Sequence, residues 1–170
     1  MKKILFGLCF MQCLSSLALA QYKTIDPNDA NDPDAPRVWS EVDIELPKEG
    51  PSNDLRPFYV SNTTTLSFAI DAKSLSIGQD DVIRYIVVIT SPSGAQQATY
   101  EGIRCEKYES RHYATYQISE KKWVRNPYSK WEIIHGGSRN RYHAALVQDA
   151  FCDFKNPRRN REEILRLLKP

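Results

Sequence analysis

DDVIRYIVVITSPSGAQQATYEGIRC, residues 80–105, decides the fold. Val82, Ile83, Ile86, Val87, Val88 and Ile89 form a short run rich in β-branched side chains, which resist a helix and favour a pleated strand. The run is bounded by Asp80-Asp81 and by Ser91-Pro92-Ser93-Gly94, whose proline and glycine supply the backbone angles of a turn. Both faces of the strand are apolar. Val82, Ile86 and Val88 point one way and Ile83, Tyr85, Val87 and Ile89 the other, the pattern of a central strand covered on both sides. A second strand then runs towards Cys105. A four-residue loop closed by Thr90 and Ala95 sets Arg84 opposite Glu101, Tyr85 opposite Tyr100 and Val82 opposite Ile103. On that register Arg84 and Glu101 form a buried structural ion pair, because a lone guanidinium in an apolar strand is costly.

Working outward, Tyr108 to Ile118 is an aromatic-rich third antiparallel strand, with Tyr113 expected on one face and Tyr116 on the other. Trp123-Val124 and Trp131 to Ile134 add two short strands, and Gly136-Gly137-Ser138 ends the strand region. Upstream, Pro47 to Pro57 reads as a loop, Phe58 to Val60 and Leu66 to Ile70 as strands, and Asp71 to Gln79 as a loop or short strand. Tyr142 to Phe151 is expected to be helical, since Tyr142, Leu146 and Ala150 step four apart. Asn160 is a good N-cap with Glu163 three positions on, heading a last short helix whose stripe is Ile164, Leu167 and Leu168. The expected class is α+β: an antiparallel sheet built on a central hairpin, with one or two C-terminal helices, in a single domain. A mainly-β sandwich or barrel is the alternative.

Residues 1–20 have the form of a cleavable signal peptide: Lys2 and Lys3, an apolar stretch too short to anchor in a bilayer, and Ala18-Leu19-Ala20. Residues 21–36, rich in Asp, Asn and Pro, read as a flexible acidic arm, and the fold is expected over 37–170. The whole chain carries 23 Lys+Arg and 21 Asp+Glu; loss of Lys2 and Lys3 leaves 21 of each. A neutral chain gives no global argument for nucleic acid or a membrane surface as a target, and no nucleic acid is expected. No second segment is apolar enough to cross a membrane. Cys9 and Cys13 leave with the leader, so Cys105 and Cys152 are the expected disulfide in an oxidising compartment.

The motifs of common chemistry are missing. There is no phosphate-binding loop, dinucleotide fingerprint or nucleophile elbow. His112, His135 and His143 sit at no ligand spacing, so neither a metal nor a cofactor is expected. Arg104, His112, Tyr113, Trp123 and Trp131 belong to an aromatic, basic second half that suits a binding face, and suits also a half-exposed antiparallel sheet. Trp39-Ser40-Glu41, the string from Asp71 to Tyr85 (DAKSLSIGQDDVIRY) and Tyr100-Glu101-Gly102-Ile103-Arg104-Cys105 resemble the CNP-one-like (CNP1-like) family of exported bacterial proteins. That resemblance covers Trp39 to Cys152 and implies a secreted, periplasmic domain from Gram-negative bacteria, with no catalytic residues to carry over. The expected function is a non-enzymatic periplasmic binding or interaction protein, its partner an envelope protein or cell-wall component. The alternative is an envelope hydrolase using Glu101, Asp81 or His112.

Overall fold

The computed structural model describes residues 38–137 and 141–170. The signal peptide and the acidic arm expected at 1–36 lie outside the described residues, as do Arg37 and Ser138.

In chain order the elements are β1 (Leu55–Phe58), β2 (Ser67–Asp71), a 3-10 turn (Ala72–Ser74), β3 (Ser76–Ile77), β4 (Val82–Thr90) and β5 (Gln96–Arg104). There follow β6 (Glu109–Gln117), β7 (Lys122–Arg125), β8 (Trp131–Ile133) and α1 (Arg141–Leu146). The π-helical turn Val147–Phe151 continues α1, and β9 (Cys152–Asp153), β10 (Asn156–Pro157) and α2 (Arg161–Leu167) end the chain. The result is a mostly antiparallel sheet with two short helices, and it does not close into a barrel. The strands run β1-β2-β4-β5-β6-β7, with β3 on β4 and β8 on β6. Thus β4 is flanked on one edge by β2 along Val87–Thr90 and by β3 along Ile83–Arg84. Strand β6 is likewise shared, by β8 near Glu109–Arg111 and by β7 from Ala114 to Gln117. Among the described residues no helix is long and apolar enough to cross a membrane.

The central hairpin is as read, but its loop has five residues. Thr90 pairs with Gln96, and Ser91 N donates to Ala95 O at 2.9 Å, with Gly94 at φ +84° turning the chain. The register therefore slips by one: Tyr85 faces Glu101, Arg84 faces Gly102 and Ile83 faces Ile103. Because side chains alternate between faces, this single step places Arg84 and Glu101 on opposite sides of the sheet. The expected ion pair between them does not exist; each has other partners, described below. A second correction concerns β6. Tyr100 pairs with Ala114 but Glu101 with His112, so Tyr113 is an extra residue, a β-bulge. It brings Tyr113 onto the same side as Ala114 and Tyr116. A third correction is β1, which begins inside the stretch read as a loop. Pro57 is tolerated there because β1 is an edge strand that need not donate on its outer side.

Each face of the sheet has its own core. On one side Ile70, Ile83, Tyr85, Val87 and Ile103 pack under Leu146, Phe151 and Ile164 of the helical segments. Asn160 caps α2, its side chain accepting from Glu162 N and Glu163 N. The disulfide Cys105–Cys152 ties the end of β5 to the end of the π turn, with the two Cα atoms 5.7 Å apart. The two cysteines are 47 residues apart in sequence, and closing a loop of that length stabilises the fold by about 4 kcal/mol on the chain-entropy model. On the other side Ile86, Val88, Ala98, Tyr100, Tyr113 and Ala114 are covered by residues 39–52, an irregular strap whose Ile44 and Leu46 pack on them.

Candidate functional site

The sheet carries one buried carboxylate assembly on each face. On the helical side it centres on Glu101, which stands beside Tyr85 and is 3 % exposed. Its Oε1 accepts from Thr99 Oγ1 at 2.7 Å and Tyr142 OH at 2.8 Å; its Oε2 accepts from His143 Nε2 at 2.8 Å and Tyr85 OH at 3.2 Å. Tyr142 and His143 open α1, and the Tyr142 ring is stacked on Phe68, which fixes the hydroxyl over the carboxylate. Burial pushes the Glu101 carboxyl up, but the neighbouring His143 and the hydrogen bonds from His143, Thr99 and Tyr142 outweigh it and hold the group below the usual glutamate range. The phenols move the other way: burial, reinforced by the charge of Glu101, pushes Tyr85 and Tyr142 well up.

Next to this assembly opens a cavity of about 660 Å³. His112 from β6, His135 from the segment after β8 and His143 from α1 all line it, with Glu101, Ser110 and Tyr128. These are all three histidines of the sequence. His112 Nε2 lies 3.0 Å from Thr115 Oγ1, and among the described residues the buried His143 Nδ1 has no hydrogen-bond partner. Among the described residues no group of three His, Cys, Asp or Glu side chains has the geometry of a metal site. Polar walls of this kind can hold a small polar molecule by hydrogen bonds from imidazole, hydroxyl and amide groups.

On the opposite face the strap brings Glu41 down between two arginines. Arg111 Nη1 donates to Glu41 Oε2, Tyr113 OH to Oε1 at 2.6 Å, Trp131 Nε1 to Oε2 at 3.1 Å, and Arg84 Nη2 reaches Oε1 at 3.4 Å. Arg84 itself forms a two-pronged bond with Asp80, at 3.0 and 2.6 Å. Burial pushes the Asp80 carboxyl up, yet Arg84 and the amide of Val42 bring it below the usual aspartate range. Burial also disfavours the Arg84 cation, which its bond to Asp80 more than offsets, so the guanidinium stays charged. Gly102, opposite Arg84, has the Tyr113 hydroxyl where a Cβ would stand, so any side chain there would expel Tyr113 from the assembly.

The residues expected to form one binding face are divided between these two sites. His112 is at the cavity. Tyr113 and Trp131 hold Glu41, and Trp123 Nε1 donates to Glu49 O at 2.8 Å. The Arg104 guanidinium sits 3.8 Å above the Trp39 ring and bonds Glu106. The residues of the hydrolase alternative are divided too: Glu101 and His112 share the cavity, whereas Asp81 is exposed at the entry to β4 and bonded to Arg159. Sequence reasoning gave Glu41 and Asp80 no role, and read Tyr142 only as a helix position in the aromatic second half. Only the spacing of Trp39, Glu41, Ile44 and Leu46 between outward acids could have marked the strap as a covering segment.

A family model, that of the CNP1-like family, matches residues 34–169. No curated protein and no solved structure matches the chain.

Proposed function

Since the chain belongs to the CNP1-like family, we propose that it is a non-enzymatic binding protein of the bacterial envelope, whose small polar ligand enters the cavity of His112, His135 and His143. The convergence of three imidazoles from three separate elements on one cavity carries this reading. The state of Glu101 favours binding over hydrolysis. With two donors on each oxygen it has no position left from which to take a substrate proton, so it serves as the fixed floor of the site. The disulfide Cys105–Cys152 supports export to an oxidising compartment, here the periplasm, with an envelope or cell-wall component as the source of the ligand. We class the fold as α+β, because the helical segments supply five of the sixteen buried residues of the larger core.

Imidazole NMR signals of the full chain, followed while fractions of soluble cell-wall fragments are added, test this reading. Saturable shifts at His112 and His135 are expected, with no change in the added compound. Turnover of a fraction that depends on Glu101 would replace binding by hydrolysis. Shifts confined to the tryptophan signals of the other face would move the site away from the cavity.

A further inference from the structure

We propose that the sheet face beneath the strap is a peptide groove, and that a second copy of this chain fills it with its own residues 39–50, giving a dimer by exchange of straps. The strap is held in the way a bound peptide is held. Among the described residues, no backbone-to-backbone hydrogen bond joins residues 39–53 to the sheet. Side chains grip it instead. Arg125 donates to Ile44 O, Trp123 donates to Glu49 O, and Asp80 accepts from Val42 N. The Trp39 indole donates to Asp80 O, and the Glu41 carboxylate is the central anchor.

Charge makes the fit specific. The strap carries Glu41, Asp43, Glu45 and Glu49 against Lys48, and the groove meets it with Arg84, Arg111 and Arg125. The hinge is equally defined. Ser52 stays tied to Asp71 through its amide and hydroxyl, so residues up to Glu49 can leave while Ser52 remains, pivoting at Gly50-Pro51. A segment anchored by side chains, joined through one short hinge and repeated in every copy is the element that exchange dimers use. The second copy is favoured over an unrelated partner because its strap is the one sequence whose fit to this groove is seen.

In the wild-type chain the attached strap acts at an effective concentration of order millimolar, which keeps the dilute protein closed and monomeric. Two full-length variants uncover the exchange. Glu41→Lys spoils the strap and leaves the groove; Arg111→Glu spoils the groove and leaves the strap. Alone, each should run as a monomer with a loosened strap, read as faster amide exchange over residues 39–49. Mixed in equal amounts they should double in mass by light scattering, because each strap meets a complementary groove on the other copy. The double variant Glu41→Lys/Arg111→Glu should close on itself and stay monomeric. Should either variant fold poorly, a labelled peptide of residues 39–50 gives the second readout: it should bind the Glu41→Lys chain at least tenfold more tightly than wild type. A mixture that stays monomeric, or a peptide that binds both chains alike, overturns the proposal.

Discussion

Glu41 and Glu101 are each carboxylates gripped by four donors, on opposite faces of one sheet, and they differ in who the donors are and what carries the acid. Glu101 sits in a central strand and is met by three hydroxyls and an imidazole. Glu41 hangs from an irregular strap and is met by two guanidiniums, a phenol and an indole. Take away Glu101 and its donors are left buried against one another. Take away Glu41 and Arg84 keeps Asp80, while Arg111 keeps Ser129, to which its Nε donates at 2.9 Å. The same count of hydrogen bonds thus makes a keystone on one face and a detachable anchor on the other, because cost follows what is stranded and not what is broken.

The largest effect should come from Glu101→Gln. The amide keeps the shape but turns a donor group towards two existing donors and removes the charge; a loss of about 3 kcal/mol or more in urea unfolding is expected. A loss under about 1 kcal/mol would dissolve the contrast. Arg84→Met should follow, at about 2–3 kcal/mol, since it leaves Asp80 buried without its two-pronged partner. Acid should then separate the two faces further. The Glu101 carboxyl is lowered from the ordinary 4.5 in the folded chain, so its contribution is complete above that value and disappears as pH falls through the lower folded value. Asp80 behaves in the same sense from 3.8. Stability measured from pH 6 to pH 2 should therefore fall less steeply in Glu101→Gln than in the wild type, and the Asp80 share of the slope should persist. Glu41→Gln should cost least, about 1 kcal/mol, while speeding amide exchange along the strap alone.

How much of this was legible follows from the range of each interaction. The hairpin, the strands after it, the capped last helix and the Cys105–Cys152 bond rest on local pattern or on having one possible partner, and all were readable. The register was not, because the difference between a four- and a five-residue loop lies in the Ser91–Ala95 hydrogen bond, which sequence composition does not reveal. That one step sent the Arg84–Glu101 pairing to the wrong conclusion. The two sites were hidden for another reason. His112, His135 and His143 come from a strand, a connecting segment and a helix, and Glu41 reaches Arg111 across 70 residues; no spacing rule links them. The aromatic and basic character of the second half was visible, but not that the chain's own acids lie upon it.

The bulge at Tyr113 has a consequence for how the molecule could change. Before it, Ser110 and His112 look into the cavity and Arg111 under the strap; after it, Ala114 and Tyr116 lie on the strap side. Even-numbered positions of one strand thus serve two sites, and the changeover is a single residue. Substitutions upstream can retune the cavity while the bed of the strap stays as it is, and those downstream do the reverse. Deleting Tyr113 would give the whole strand plain alternation and leave Ala114 and Tyr116 on the strap side, because Tyr100–Ala114 and Glu101–His112 already run in step without it. What would go is the phenol that holds Glu41. The strand is modular to substitution, and at the bulge it can lose a residue without losing its register, whereas a deletion at a paired position further along would move the side chains beyond it to the other face.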